Sequence, residues 1–133
     1  MKILVPTAGP VPAREKADYI VNIAKGLGAD LTILHIFKEG EQEGKGEEAF
    51  DLFARAGQKA EVNVTKLSGK GDVVSSIIGW AEKESADLII MGASPGKVVA
   101  EWISADAMSK TSIPVLVVPR EFREPRQSLG TVG

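Results

Sequence analysis

The stretch Ala86-Asp87-Leu88-Ile89-Ile90-Met91-Gly92 is a short apolar run that ends in glycine and leads into Ala93-Ser94-Pro95-Gly96-Lys97. A run of this length bounded by glycine and proline reads as a strand, here Asp87 to Met91. The residues before it read differently. Asp72 suits a helix N-cap, and Val73, Val74, Ile77, Ile78 and Ala81 then share one face at helical spacing until Ser85 ends the pattern. Outward from this pair the same alternation recurs along the chain. Further strands are expected at Lys2 to Pro6, Leu31 to Phe37, Ala60 to Leu67 and Pro114 to Val118. A helix from about Ala13 to Gly28 is introduced by Pro12 and stopped by Gly26 and Gly28, with Ile20, Ile23, Ala24 and Leu27 facing inward. Lys38 to Glu48, with five glutamates, two lysines and three glycines, reads as a solvated loop before a short helix from Ala49 to Arg55.

Strands alternating with helices predict an α/β three-layer sandwich, a five-stranded parallel sheet with helices on both faces. If the first three strands run outward one way and the last two the other, the order is 3-2-1-4-5. Ligands then bind beyond the carboxyl ends of strands one and four. The candidate nucleotide or anion cleft comprises Pro6, Thr7, Ala8, Ile36, Met91, Gly92, Ser94, Gly96 and Lys97. Glycine and proline after a strand are also ordinary turn chemistry, so these loops have a purely structural reading as well.

At 133 residues, 44% hydrophobic and 26% charged, the chain is one ordinary soluble domain. The α/β domain is expected over residues 1–120, with 121–133 a flexible tail. Sixteen basic and eighteen acidic residues are interspersed, which argues against a nucleic-acid partner. Cysteine is absent, which excludes disulfides, thiolate catalysis and cysteine metal sites. Pro6 interrupts the first apolar run far short of a signal-peptide core, and no run is long enough to span a bilayer. The expectation is a cytoplasmic protein without direct membrane insertion.

Ile3-Leu4-Val5-Pro6-Thr7, Ala29-Asp30-Leu31-Thr32-Ile33-Leu34-His35-Ile36, Ala86 to Gly92 and Ile113-Pro114-Val115-Leu116-Val117-Val118, in that order, resemble successive strands of the universal stress protein family. The resemblance implies a homodimer of α/β subunits, some members of which bind ATP between the first and fourth strands. Those members carry an aspartate after the first strand and a G-x2-G-x9-G-[ST] signature after the fourth. This chain has Ala8 at the first point. Counted from Gly92, the second glycine falls on Pro95 and the final pair on Ala105 and Asp106; counted back from Pro114, that pair falls on Glu101 and Trp102. Gly96 supplies the second glycine only after a one-residue shift. Pro95 lacks an N–H for a phosphate, and a carboxylate at Glu101 or Asp106 repels an anion.

Gly92-Ala93-Ser94-Pro95-Gly96 also matches the G-x-S-x-G of a hydrolase elbow. The oxyanion hole needs the N–H after the serine, and Pro95 has none. His35, the one histidine, reads as a hydrogen-bonded strand residue rather than a base or metal ligand. Trp80 and Trp102 read as helix packing residues. The expected function is therefore a universal stress protein-type regulatory or interaction protein, not an enzyme, which does not bind ATP in the family's usual way. It needs no cofactor or metal. The alternatives are an adenine-nucleotide sensor binding ATP or AMP with Mg through the two loops, and a regulatory domain associated with a membrane transporter. A protein partner is open. The fifth strand is charge-free, with Val115, Leu116, Val117 and Val118 apolar toward both faces, while the third carries Glu61, Asn63 and Lys66. An edge strand with a buried pattern predicts a homodimer through strand five.

Overall fold

Burial on both sides marks the centre of the sheet: Ile3 to Thr7 and Leu31 to Ile36 are all buried. The computed structural model describes residues 1–7, 14–37, 40, 44–92 and 97–119. The strands are β1 (Lys2–Thr7), β2 (Asp30–Phe37), β3 (Val64–Lys70), β4 (Leu88–Gly92) and β5 (Val115–Val118). Between them lie α1 (Arg14–Leu27), α2 (Gly44–Ala60), α3 (Val73–Lys83) and α4 (Lys97–Ser104), the last followed by a 3-10 turn at Ala107–Ser109. The sheet order is β3-β2-β1-β4-β5 and every pairing is parallel, as the alternation of elements predicts.

Two cores form because successive strand residues face opposite ways. Ile3, Val5, Leu31, Ile33, Ile90 and Val118 pack against Ala17, Ile20, Val21 and Ala24 of α1 and Phe53, Ala56 and Ala60 of α2. Leu4, Leu34, Ile36, Ile89 and Met91 pack on the other face, against Val73, Val74, Ile77 and Ala81 of α3 and Val98 and Trp102 of α4. Trp102 is thus a packing residue, and Trp80 is half-buried beside the same core. Leu27, expected to face inward, is exposed at the end of α1.

The first three helices end in the same hydrogen-bond pattern. Gly28, Glu61 and Ser85 adopt positive φ, and the residue after each donates back into the last helical turn: Ala29 to Ala24, Val62 to Gly57 and Ala86 to Ala81. Glu61 in this conformation corrects the sequence reading around it. Ala60 belongs to α2 rather than to a strand, and β3 starts only at Val64. Glu61 and Asn63 therefore lie outside the edge strand, while Lys66 lies within it. The helix also starts earlier than Ala49, at Gly44, so the last five of the eleven residues of the acidic segment are helical. Ala49, Phe53, Ala56 and Ala60 form its buried stripe, and Glu47 in its first turn pairs with Lys66 of β3. α3 agrees with expectation: the Asp72 carboxylate accepts from the Ser75 N–H at 2.9 Å.

Candidate functional site

The order reverses between β1 and β4, so the crevice lies beyond their carboxyl ends. β1 and β4 are aligned Ile3 to Leu88 and Leu4 to Ile89, and counting on from that register sets Thr7 against Gly92 at the ends of the two strands. Thr7 is also paired with His35 of β2. His35, Thr7 and Gly92 thus form a row across three strands, on the α1 and α2 side of the sheet.

Each part of the row is tied down. The Thr7 hydroxyl lies 3.0 Å from His35 Nδ1 and 3.5 Å from the Leu34 carbonyl oxygen, which accepts from it. His35 is 2% exposed, and its ring meets Phe37 edge-on with centroids 4.6 Å apart. Gly46 of α2 covers it so closely that a Cβ there would stand 3.0 Å from His35 Cδ2. The other end of the row is covered by α1. A Cβ on Gly92 would stand 3.3 Å from Lys16 Cδ and 3.8 Å from Lys16 Nζ. Lys16 is 3% exposed.

A lysine is an unexpected choice at this position. It lies in the first turn of α1, where the helix dipole disfavours a cation, and lysine is rarely buried. Its methylene stem does suit the place, since it packs as an apolar chain over a residue that has no side chain. Sequence reasoning did not select Lys16. The available signal was spacing: it stands four residues before Ile20, on the inward face of α1.

The expected cleft residues divide into four groups. Thr7 and Gly92 end their strands in the row just described. Pro6 is buried on the face opposite Thr7, and Ile36 and Met91 are core residues beneath α3 and α4. Lys97 begins α4. Ala8, Ser94 and Gly96 lie outside the described residues, as do Pro95 and the tail from Arg120. At the proposed dimer edge, Leu116 is 39% and Val117 42% exposed, Val115 is half-buried, and Val118 is enclosed in the core under α1. Among the described residues no group of three or more acidic, histidine or cysteine side chains is arranged to hold a metal ion. No described helix is long and apolar enough to cross a membrane.

Comparison with known proteins agrees with this geometry. The Universal stress protein family matches residues 1–119. A universal stress protein of Methanocaldococcus jannaschii is 31% identical over 144 residues, covering 92% of this chain and 84% of that protein. Among solved structures, a universal stress protein in complex with cAMP superposes with a TM-score of 0.68 at 20% identity, covering 91% of this chain and 98% of the other. The universal stress protein of Archaeoglobus fulgidus in complex with dAMP gives a TM-score of 0.66 at 16% identity, covering 88% and 96%. With the strand order, the switch point and a family match over nearly its whole length in agreement, the chain belongs to the universal stress protein family.

Proposed function

We propose that the chain is a non-catalytic regulatory or interaction protein that works as a homodimer joined through β5, and that it does not take ATP in the family's usual way. The observation that carries this reading is the state of the last strand. Among the described residues β5 pairs on one side only, with β4, and Leu116 and Val117, pointing to opposite faces, are each about two-fifths exposed. An edge strand with unpaired backbone groups and apolar side chains on both faces is a template for another strand. A second copy of β5, antiparallel across a twofold axis, pairs those groups and covers both side chains. Each fully buried side chain of this size contributes roughly 1.5–3 kcal/mol, so four partly exposed ones contribute a few kcal/mol before any other contact. Light scattering at micromolar concentration tests the pairing: twice the 14.1 kDa chain mass is expected, and Val117→Lys should return the monomer with its circular dichroism retained. A monomeric parent refutes the reading.

A second reading, an adenine-nucleotide sensor, is favoured by the ligands of two similar structures, cAMP and dAMP. The departures at Ala8 and Pro95 oppose it for ATP. Ligand stabilisation grows with the logarithm of concentration over dissociation constant. Millimolar Mg-ATP, AMP or cAMP that raises the melting temperature by several degrees therefore decides for the sensor.

A further inference from the structure

We infer that Lys16 is the residue that closes the crevice between β1 and β4, and that shortening it opens this chain to adenine nucleotides. The inference rests on the reading that ATP is not held in the family's usual way, and it adds a cause within the described part of the molecule. The crevice is where the reversal of strand order places a ligand. Its floor on the α1 side is Thr7 and Gly92, and Gly92, having no side chain, is the position at which a ligand can approach the backbone closely. In this chain a side chain occupies that approach. Among the described residues beyond its chain neighbours, the atoms within 4 Å of the point where a Gly92 Cβ would be are Cδ and Nζ of Lys16.

The obstruction is steric and well supported. Lys16 extends from α1, whose next inward residues, Ala17, Ile20 and Val21, are in the core, so the helix has no room to carry the lysine away as a rigid body. The side chain is almost wholly enclosed, so a ligand reaching Gly92 must displace it and expose its methylenes. Thr7 contributes no escape route, because its hydroxyl is engaged with His35 and the Leu34 carbonyl. Charge alone does not explain an obstruction, since an ammonium group attracts nucleotide phosphates. The stem is therefore what excludes, and a neutral side chain of the same length should exclude as well.

Two substitutions separate volume from charge. Lys16→Ala removes everything beyond Cβ, whereas Lys16→Met keeps a stem of similar length without the charge. Binding of AMP, cAMP and Mg-ATP is measured by isothermal titration calorimetry on the full chain, with circular dichroism as the check on folding. Lys16→Ala should bind at least one of the three about tenfold or more tightly than the parent, and Lys16→Met should resemble the parent. Lys16→Ser, whose hydroxyl tolerates water in the opened space, replaces the alanine variant if that variant does not fold. A folded Ala or Ser variant with no gain overturns the inference and leaves the reading of the parent standing. An equal gain in the Met variant overturns it too, because the stem is then not the barrier. A parent that binds Mg-ATP tightly overturns the reading and the inference together, because the crevice is then open with Lys16 in place.

Discussion

Gly57→Ala tests whether the contact between α2 and the start of β3 outweighs helix propensity. Glycine within a helix costs roughly 0.5–1 kcal/mol relative to alanine, so propensity alone predicts a more stable protein. The surroundings oppose it. A Cβ on Gly57 would stand 2.5 Å from Val64 Cγ2 and 2.8 Å from the Val62 carbonyl oxygen. Val62 has little freedom to retreat, because its N–H donates to the Gly57 carbonyl at 2.9 Å and closes the helix end. Val64 is held by its pairing with Leu31. Forcing an extra methyl into such a contact costs roughly 1–3 kcal/mol, so the net loss spans roughly 0–2.5 kcal/mol, and two contacts under 3.0 Å, one of them with backbone, put it in the upper half. Gly79→Ala is the internal control, since Gly79 lies on the exposed side of α3 with nothing within 4 Å of its Cβ position. That variant should gain roughly 0.5–1 kcal/mol. Urea unfolding followed by circular dichroism reports both, as opposite shifts of the midpoint at unchanged slope. A Gly57→Ala protein as stable as the parent, or more so, refutes the steric argument.

Ser85→Gly should stabilise the protein by about 1 kcal/mol in the same assay, because Ser85 holds φ 53° at the end of α3, where a side chain is disfavoured. No change would show that its local contacts already compensate. The Asp72 carboxyl is held below the ordinary carboxylate range, chiefly by the Ser75 N–H and then by the Ser75 hydroxyl. With its folded pKa depressed, Asp72 contributes stability that is fully present above about pH 4 and lost as pH falls through the folded value. Asp72→Asn keeps a capping acceptor but cannot titrate, so its disadvantage should shrink on acidification; a gap that stays constant with pH counts against the assignment. Thr7→Val should cost roughly 1–3 kcal/mol by removing a buried partner of His35, and the His35 ring resonances in NMR should shift. Unchanged His35 resonances would show that the pair does not form in solution.

Much of the framework was legible because it depends on local pattern. Short apolar runs between helical segments specified five strands, and right-handed crossovers put helices on both faces; the order followed only on the assumption of one reversal after the third strand, which the fold bears out. The misread region was Lys38 to Leu67. Charges in the first turns of α2 obscured its start, Glu47 and Glu48 being exposed, even though Ala49, Phe53, Ala56 and Ala60 repeat with helical spacing. At its other end, Glu61 ends the helix in a conformation that usually selects glycine, so the boundary carried no glycine to announce it.

At the site the division follows chain distance. The switch point, the missing aspartate at Ala8 and the proline at Pro95 can be read from the order of residues alone, since each is a matter of type at a known place. That His35, Thr7 and Gly92 stand in one row is a consequence of strand register, and that Lys16 covers Gly92 is a consequence of how α1 packs on the sheet. The sequence reading did not select Lys16, although it stands four residues before Ile20, on the inward face of its helix. Only the docking of that helix, driven by Ala17, Ile20, Val21 and Ala24, decided that the lysine lies against a glycine of β4, far along the chain, because packing joins residues that local periodicity cannot relate.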